Sequence, residues 1–280
     1  MLCTYFLYIA VLCAWRSRGV PVATAAAGII PLALVAVARA DSRSTHRGWS
    51  MARDWIPAVL VLVAYRSIDW VPATHGDREL EDVLIVWDRT LLGDWGLRAA
   101  TEGLGALVPA ILELAYLILY AVLPLSIASF YLRHERDRLD DFLFPFLLGT
   151  LTAYALLPHF PVEGPRFAFT GQDLPKVETV FRRINVWILD HFDIRSSVFP
   201  SGHVAAAFSA AFAMYISAPG RRLLVAALLA LAVLVWVNTI YGRYHYAADG
   251  LAGLAVSAAT IGALLVYRTR ATKTRSTRWP

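Results

Sequence analysis

Long uninterrupted apolar stretches, several of near-spanning length, limit what this chain can fold into more than any other feature of the sequence. A transmembrane helix needs about 20 consecutive apolar residues. Of the 280 residues, 58% are hydrophobic and only 17% are charged, whereas an ordinary soluble domain carries about 25% charged residues. The sequence therefore excludes a water-soluble globule and predicts an all-α, polytopic bundle of transmembrane helices.

About eight spans are predicted, of which the first is the weakest. They cover residues 2–15, 20–38, 56–71, 104–132, 142–160, 201–218, 223–240 and 250–267. The first span is short and is followed by Arg16 and Arg18, so a cleaved signal peptide is an alternative interpretation of it. Since the sequence contains no internal repeat or flexible linker, we predict one integral membrane domain over residues 1–280.

The placement of positive charge predicts the orientation of the spans. Basic residues are concentrated in three short connectors and the C-terminal tail, at residues 39–53, 133–138, 221–222 and 268–280. Cytoplasmic loops of membrane proteins are enriched in Lys and Arg. These segments are therefore expected in the cytoplasm, and the net charge of +5 is attributed to a membrane anchor rather than to nucleic-acid binding. The opposite, external face of a plasma (inner) membrane then holds residues 66–103, 161–200 and 241–249.

Two further polar features are predicted near the membrane. Residues 77–98 mix acids, tryptophans and aliphatic residues at helical spacing, which predicts a helix lying in the interface or a simple connector helix. Glu113 shares a helical face with Tyr116 and Tyr120 inside the fourth span. A carboxyl group facing lipid is costly, so Glu113 is expected to point into the bundle, in a structural role more than a catalytic one.

The tetrapeptide Pro200-Ser201-Gly202-His203 stands where a predicted loop meets an apolar helix. The first N–H groups of a helix have no partners within the helix, and the dipole is positive there, so this position can bind an anion such as phosphate. Ser201 can cap the helix or contact a phosphoryl oxygen, Gly202 allows close approach of the backbone, and His203 can protonate a departing oxygen. An ordinary capped helix is the alternative.

Two other elements carry groups suited to phosphate chemistry. His245 and Asp249 are four residues apart, a spacing that lets the carboxylate fix the imidazole tautomer and leave the other nitrogen as a nucleophile. Arg166, in the segment Pro161 to Arg166, could grip phosphate oxygens with two parallel hydrogen bonds. Taken singly, each has a plainer alternative. His245 and Asp249 can be an ordinary pair at the membrane interface, and Arg166 can be an arginine whose charged end extends to the membrane surface. Because all three elements map to the external ends of predicted spans, we expect one shared pocket.

These residues resemble the motifs of the type-2 phosphatidic acid phosphatase superfamily, which is related in site architecture to vanadium haloperoxidases. The resemblance covers about residues 142–267, taken as the catalytic core, and the Pro-Ser-Gly-His block is complete. It implies that His245 forms a phosphohistidine, that Asp249 orients it, and that His203 protonates the leaving alkoxide. It also implies that Arg166, Ser201 and the Gly202 amide hold the phosphoryl oxygens, with no metal or other cofactor.

The chain departs from the superfamily's pattern at its cation positions. His159 stands where the first block has lysine, and Asn238 and Thr239 stand where the third block has Ser-Arg. Arg243 lies near enough to supply a substitute guanidinium. Fewer permanent cations suit a phosphodiester, which carries less charge than a phosphomonoester. The Gly-Pro-Arg order and Asp88-Arg89 also resemble the branch that contains inositol phosphorylceramide synthases.

The expected function is cleavage of a lipid phosphate ester in the bilayer, with transfer to water or to an alcohol acceptor. The sequence leaves the lipid, the acceptor and the oligomeric state open. A non-catalytic lipid transporter or flippase with an external head-group pocket is the alternative from another class, although the paired repeats typical of transporters are not evident. A haloperoxidase-like oxidation is a third, less favoured reading.

Overall fold

The computed structural model describes residues 1–16, 21–43, 47–72 and 78–276. Over these ranges the chain forms twelve α-helices and no β-strand. The helices are α1 (Leu2–Arg16), α2 (Pro21–Arg43), α3 (Arg47–Arg66), α4 (Arg78–Arg89), α5 (Leu97–Gly103), α6 (Leu107–Leu132), α7 (Leu139–Leu156), α8 (Pro165–Ala168), α9 (Val180–Phe192), α10 (Gly202–Ser217), α11 (Arg222–Tyr241) and α12 (Ala247–Ser276). Short 3-10 turns occupy Ser67–Trp70, Arg136–Arg138 and Leu157–His159, and a π turn occupies Thr90–Asp94.

Five described helical segments are long and apolar enough to cross a membrane. They are Ala25–Arg43, Leu107–Leu132, Arg136–His159, Arg222–Tyr241 and Ala247–Arg270. Helices α1 and α10 are apolar but shorter, with 15 and 16 residues. The structure thus confirms an all-helical protein of the membrane class, but the predicted count of about eight spans is not confirmed.

The predicted span 56–71 illustrates the difference. This stretch divides between the second half of α3 and the turn Ser67–Trp70, and α3 also includes the charged residues Arg53 and Asp54. Asp54 is buried and accepts hydrogen bonds from Tyr131 Oη at 2.7 Å and Arg136 Nε at 2.5 Å. Because the helix continues through these charges, its apolar run is shorter than a membrane span requires.

Helix α10 lies at the centre of the bundle and packs against α7, α11 and α12. Small residues cover much of its surface, including Ala205, Ala207, Ala210 and Ala211, all buried. Small residues let neighbouring helix backbones approach closely, as is common where helices pack within membranes. This packing fixes the N-terminal end of α10, which carries the Ser-Gly-His sequence, relative to α7 and α12.

The other predicted segments of interest are the connector at 77–98, the first span and the basic tail. The segment predicted over 77–98 contains α4, the π turn and the first residues of α5. Asp77, the first residue of that predicted segment, lies outside the described residues. Helix α1 packs against α2 and α7, with Phe6 and Ile9 fully buried. The predicted basic tail continues α12 as far as Ser276, and 277–280 lie outside the described residues.

The crossing of α12 over the start of α10 depends on Gly253. A Cβ atom at this position would lie 2.5 Å from the carbonyl oxygen of Ser201 and 3.2 Å from the nitrogen of Ala205. Backbone atoms cannot yield without moving a helix, so Gly253→Ala is expected to destabilise the protein by about 1–3 kcal/mol. The measurement is the thermal unfolding midpoint in detergent.

A matched control exists in the same helix. Nothing lies within 4 Å of a Cβ atom built at Gly262, and alanine is favoured over glycine inside a helix by about 1 kcal/mol. Gly262→Ala should therefore leave the midpoint unchanged or raise it. Equal midpoints for the Gly253→Ala and Gly262→Ala proteins would contradict a close contact between α10 and α12.

Candidate active site

The N-terminal end of α10 has the geometry expected of an anion-binding helix start. Ser201 is its N-cap, and the Ser201 hydroxyl oxygen accepts a hydrogen bond from the Val204 N–H at 3.3 Å. The backbone N–H of Ser201 donates to the carbonyl oxygen of Asp249 at 2.9 Å, which ties this end of α10 to α12. A Cβ atom on Gly202 would lie 2.8 Å from the Tyr154 ring, so glycine is required where the helix meets this tyrosine.

His203 and His245 meet although 42 positions separate them in the chain. The Nδ1 atom of His203 lies 3.3 Å from Nε2 of His245, and both rings are buried. His245 belongs to the turn between α11 and α12, where Arg243 adopts a positive φ of 64°. The structure therefore brings together the two imidazoles that the sequence singled out.

The tautomer of His245 follows from two acceptors at its other ring nitrogen. His245 Nδ1 lies 3.1 Å from the carbonyl oxygen of Val198 and 3.3 Å from Oδ2 of Asp249. Both are acceptors, so Nδ1 carries the proton and Nε2 presents a lone pair. Asp249 Oδ2 also accepts from the Tyr246 N–H at 2.9 Å, which fixes the carboxylate. The part played by Val198 was not foreseen, since nothing in a sequence marks a carbonyl group as a partner.

The segment that carries Arg166 packs against the same site. The Val198 N–H donates to the carbonyl oxygen of Val162 at 3.1 Å, and a Cβ atom on Gly164 would lie 2.8 Å from the Val198 side chain. Arg166 follows at the start of the short helix α8, with its side chain 14% exposed. Val198 is thus the link between this segment and His245.

Arg166 already has carboxylate partners. Its Nη1 lies 3.2 Å from Oδ1 of Asp190, and its Nη2 lies 4.0 Å from Oδ2 of Asp193. Burial raises the pKa of Asp193, and a hydrogen bond donated by Tyr65 and the charge of Arg166 oppose that rise. Arg166 therefore reaches any phosphate as a guanidinium shared with carboxylates rather than as a free cation.

Arg243 is engaged in the same way. Its guanidinium donates to Oδ2 of Asp88 on α4, and both side chains are almost fully buried. Burial raises the pKa of Asp88, and the adjacent Arg243 opposes that rise. Leu84, one turn earlier on α4, is also buried, so Asp88 and Leu84 lie on the same inward face of the helix.

His159 is placed elsewhere. Its Nε2 lies 2.7 Å from the hydroxyl of Tyr8 on α1, and the residue is exposed. In the part of the chain that the structure describes, that hydroxyl is its hydrogen-bond partner, and no hydrogen bond joins it to His203 or His245. The structure therefore does not bring the predicted replacement for the missing lysine into contact with the histidine pair.

A buried polar network supports the turn that carries His245. Glu113 accepts hydrogen bonds from Arg182 Nη1 at 3.0 Å, Asn185 Nδ2 at 2.8 Å and the Tyr244 hydroxyl at 2.9 Å. Asn238 Nδ2 adds a longer contact at 3.3 Å. Glu113 thus points into the bundle, as predicted, and joins α6 to α9, α11 and the residue before His245.

Arg182 was missed in the sequence. It is buried on α9 together with Asn185 and Leu189, which follow at helical spacings of three and four residues. The adjacent Arg183 is exposed. A search for polar residues on the apolar face of this short helix would have distinguished Arg182, which is buried, from Arg183, which is exposed.

An all-helical membrane protein with two buried histidines, one oriented by a carboxylate and the other at a capped helix start, has a site suited to phosphoryl chemistry. The family model described as PAP2 superfamily matches residues 82–263. The chain therefore belongs to the type-2 phosphatidic acid phosphatase superfamily, which confirms the resemblance. Comparison with curated proteins and with solved structures gave no match. Membership supports an enzyme with a phosphatase-type or phosphotransferase-type reaction.

Proposed function

We propose that the chain cleaves a lipid phosphate ester through a covalent phosphohistidine on Nε2 of His245. The observation that carries this proposal is the 3.3 Å approach of His203 Nδ1 to His245 Nε2, with the far side of His245 held by Val198 and Asp249. Since Nε2 of His245 has no proton, the hydrogen between the rings belongs to His203 Nδ1. The substrate phosphate replaces this contact when it binds.

The proposed reaction has two balanced steps. In the first, the lone pair on His245 Nε2 attacks phosphorus and the bond from phosphorus to the lipid oxygen breaks, while His203, protonated on both ring nitrogens for this step, gives one proton to the departing oxygen and is left neutral. In the second, His203 takes a proton from water or an alcohol as the oxygen of that molecule attacks phosphorus and the nitrogen–phosphorus bond breaks. Ser201 and the Gly202 amide bind the phosphoryl oxygens at the helix start.

The charge balance favours a phosphodiester donor. Arg166 is shared with Asp190 and Asp193, and Arg243 is paired with Asp88. A doubly charged phosphomonoester would meet these carboxylates with little free positive charge to offset them, whereas a diester brings one negative charge. This supports transfer to an alcohol, in the manner of the inositol phosphorylceramide synthase branch, over simple hydrolysis.

A panel of labelled phospholipids tests the proposed reaction. The purified full-length protein is given phosphatidate, an isoprenyl phosphate and a phosphoinositide diester, each with and without a long-chain alcohol. We expect cleavage without an added cofactor, and formation of a new phosphodiester from the diester donor when the alcohol is present. Free phosphate from the monoesters, or a phosphomonoester from the diester, with no new phosphodiester would identify a hydrolase. Movement of label across a vesicle membrane without bond cleavage would instead indicate the transporter.

We place the site on the external face of the plasma (inner) membrane and the C-terminus in the cytoplasm. The support is the clustering of Arg and Lys in the connectors at 39–53, 133–138 and 221–222 and in the tail at 268–280. The same assay decides the orientation when an impermeant, short-chain substrate is added to sealed right-side-out vesicles. Turnover that appears only after the vesicles are opened would place the site inside.

A further inference from the structure

A cavity of about 370 Å³ runs from the side of His203 into the interior between α3, α6, α7, α9 and α10. Four of its lining residues carry polar groups near His203: Tyr65 and Tyr120, whose rings lie 5.4 and 6.2 Å from that of His203, Tyr154 beside Tyr65, and Asp193, which accepts a hydrogen bond from Tyr65. Beyond them the lining is almost entirely apolar, with Ala58, Leu62, Leu119, Leu123 and Phe146 among the residues that form it. The cavity is therefore polar at the histidine and apolar away from it.

The depth of the cavity can be followed along α3. Tyr65 lies next to His203, with ring centroids 5.4 Å apart, whereas Ala58 lines the cavity two helical turns earlier. Seven residues of α-helix correspond to a rise of about 10 Å. The apolar part thus extends well into the bundle, far from any phosphate bound at the start of α10.

The cavity is open at its side between α3 and α9. Leu62 and Phe192 both line it, yet they are 54% and 55% exposed. At one edge of this opening, Arg66 on α3 donates to the carbonyl oxygen of Phe192 at 3.2 Å. In a membrane protein, an apolar opening of this kind faces lipid chains rather than water.

We propose that this cavity binds one hydrocarbon chain of the substrate, which enters sideways between α3 and α9, and that Ala58 limits the chain length that fits. The volume is near the lower end of the range of ligand pockets, which suits a single chain. This inference rests on the proposed function for one point: because His203 borders the cavity and protonates the leaving oxygen, the enclosed chain is the one attached to that oxygen.

Photo-crosslinking tests the cavity without requiring turnover. The probe is decyl phosphate with a diazirine on its terminal carbon, added to the full-length protein in detergent. We expect labelling of α3 around Ala58 and of α6 around Leu123, and we expect excess decyl phosphate to block it while butyl phosphate does not. Ala58→Phe should reduce this labelling by about tenfold. If that variant is poorly folded, Ala58→Leu replaces it, with a smaller reduction in the same direction.

Val59→Phe is the matched control, because Val59 adjoins Ala58 on α3 but is 62% exposed and lies outside the cavity lining. Labelling that is confined to exposed helix surfaces, or that falls equally in both phenylalanine variants, would overturn the chain-binding cavity. Labelling is also expected in the His245→Ala protein. A His245→Ala protein that still turns over lipid but labels normally would overturn the reaction and leave the cavity standing.

Discussion

Replacement of His245 by alanine is expected to lower turnover of a lipid phosphate ester by about 10⁴-fold or more, the scale of loss when a covalent nucleophile is removed. No other described imidazole can take its place, because the hydrogen bonds to Val198 and Asp249 orient His245 alone. Turnover is measured by release of labelled alcohol from the lipid. Labelled phosphate should also be trapped on the native protein in acid-labile form and be absent from the variant.

His191→Ala is the control for loss of a histidine. His191 is exposed on α9, and its Nδ1 contacts the Trp187 carbonyl oxygen at 2.7 Å rather than the histidine pair. This variant should retain turnover, and both variants should keep the unfolding midpoint of the native protein within a few degrees. Undiminished turnover in the His245→Ala protein would remove the proposed nucleophile.

The parts of the site that could be predicted from sequence are those in which the groups that interact lie close together in the chain. Ser201 predicts a helix start because its side chain is a good N-cap, and α10 begins at Gly202. The four-residue spacing of His245 and Asp249 predicts their contact, although His245 lies in the turn before α12 and only Asp249 lies within that helix, in its first turn. Orientation by positive charge then predicted that these elements share one end of the bundle.

The partners of the arginines could not be predicted in the same way. Asp88 lies 155 positions from Arg243, and Asp190 belongs to the next helix after α8, beyond the loop that separates them. Nothing local selects these pairs, since each depends on how α4 and α9 pack against the bundle. The sequence identified possible phosphate ligands but could not reveal that each lies within salt-bridge distance of a carboxylate.

The predicted span count is not confirmed for a related reason. Hydropathy treats each stretch separately, whereas a charge can be buried when another part of the chain supplies its partner. Asp54 lies inside α3 because Tyr131 and Arg136 provide hydrogen bonds from distant positions. Helix length also limits a span count made from hydropathy. Helix α10 has only 16 residues, fewer than the about 20 that a transmembrane helix needs, yet it lies at the centre of the bundle with other helices around it.

The Glu113 network has the structural consequences expected of a buried charge with several partners. Arg182 is its salt-bridge partner at 3.0 Å, and the Glu113 side chain is only 1% exposed. Removing one member of a buried pair leaves the other charge without compensation, which costs more than the pair contributes when intact. Here Asn185 and Tyr244 would also lose their acceptor. The loss should therefore spread from α6 to α9 and to the turn beside His245.

Glu113→Ala is accordingly expected to reduce the free energy of unfolding by about 3–5 kcal/mol, measured as a lower thermal midpoint in detergent. Glu178→Ala, at an exposed glutamate in the loop before α9, is the control and should leave the midpoint unchanged. Combining Glu113→Leu with Arg182→Met removes both charges, so stability should recover, but only in part, because Tyr244 and Asn185 still lack an acceptor. Full recovery would show that these two donors contribute nothing. An unchanged midpoint in Glu113→Ala would refute the network as the support of the His245 turn.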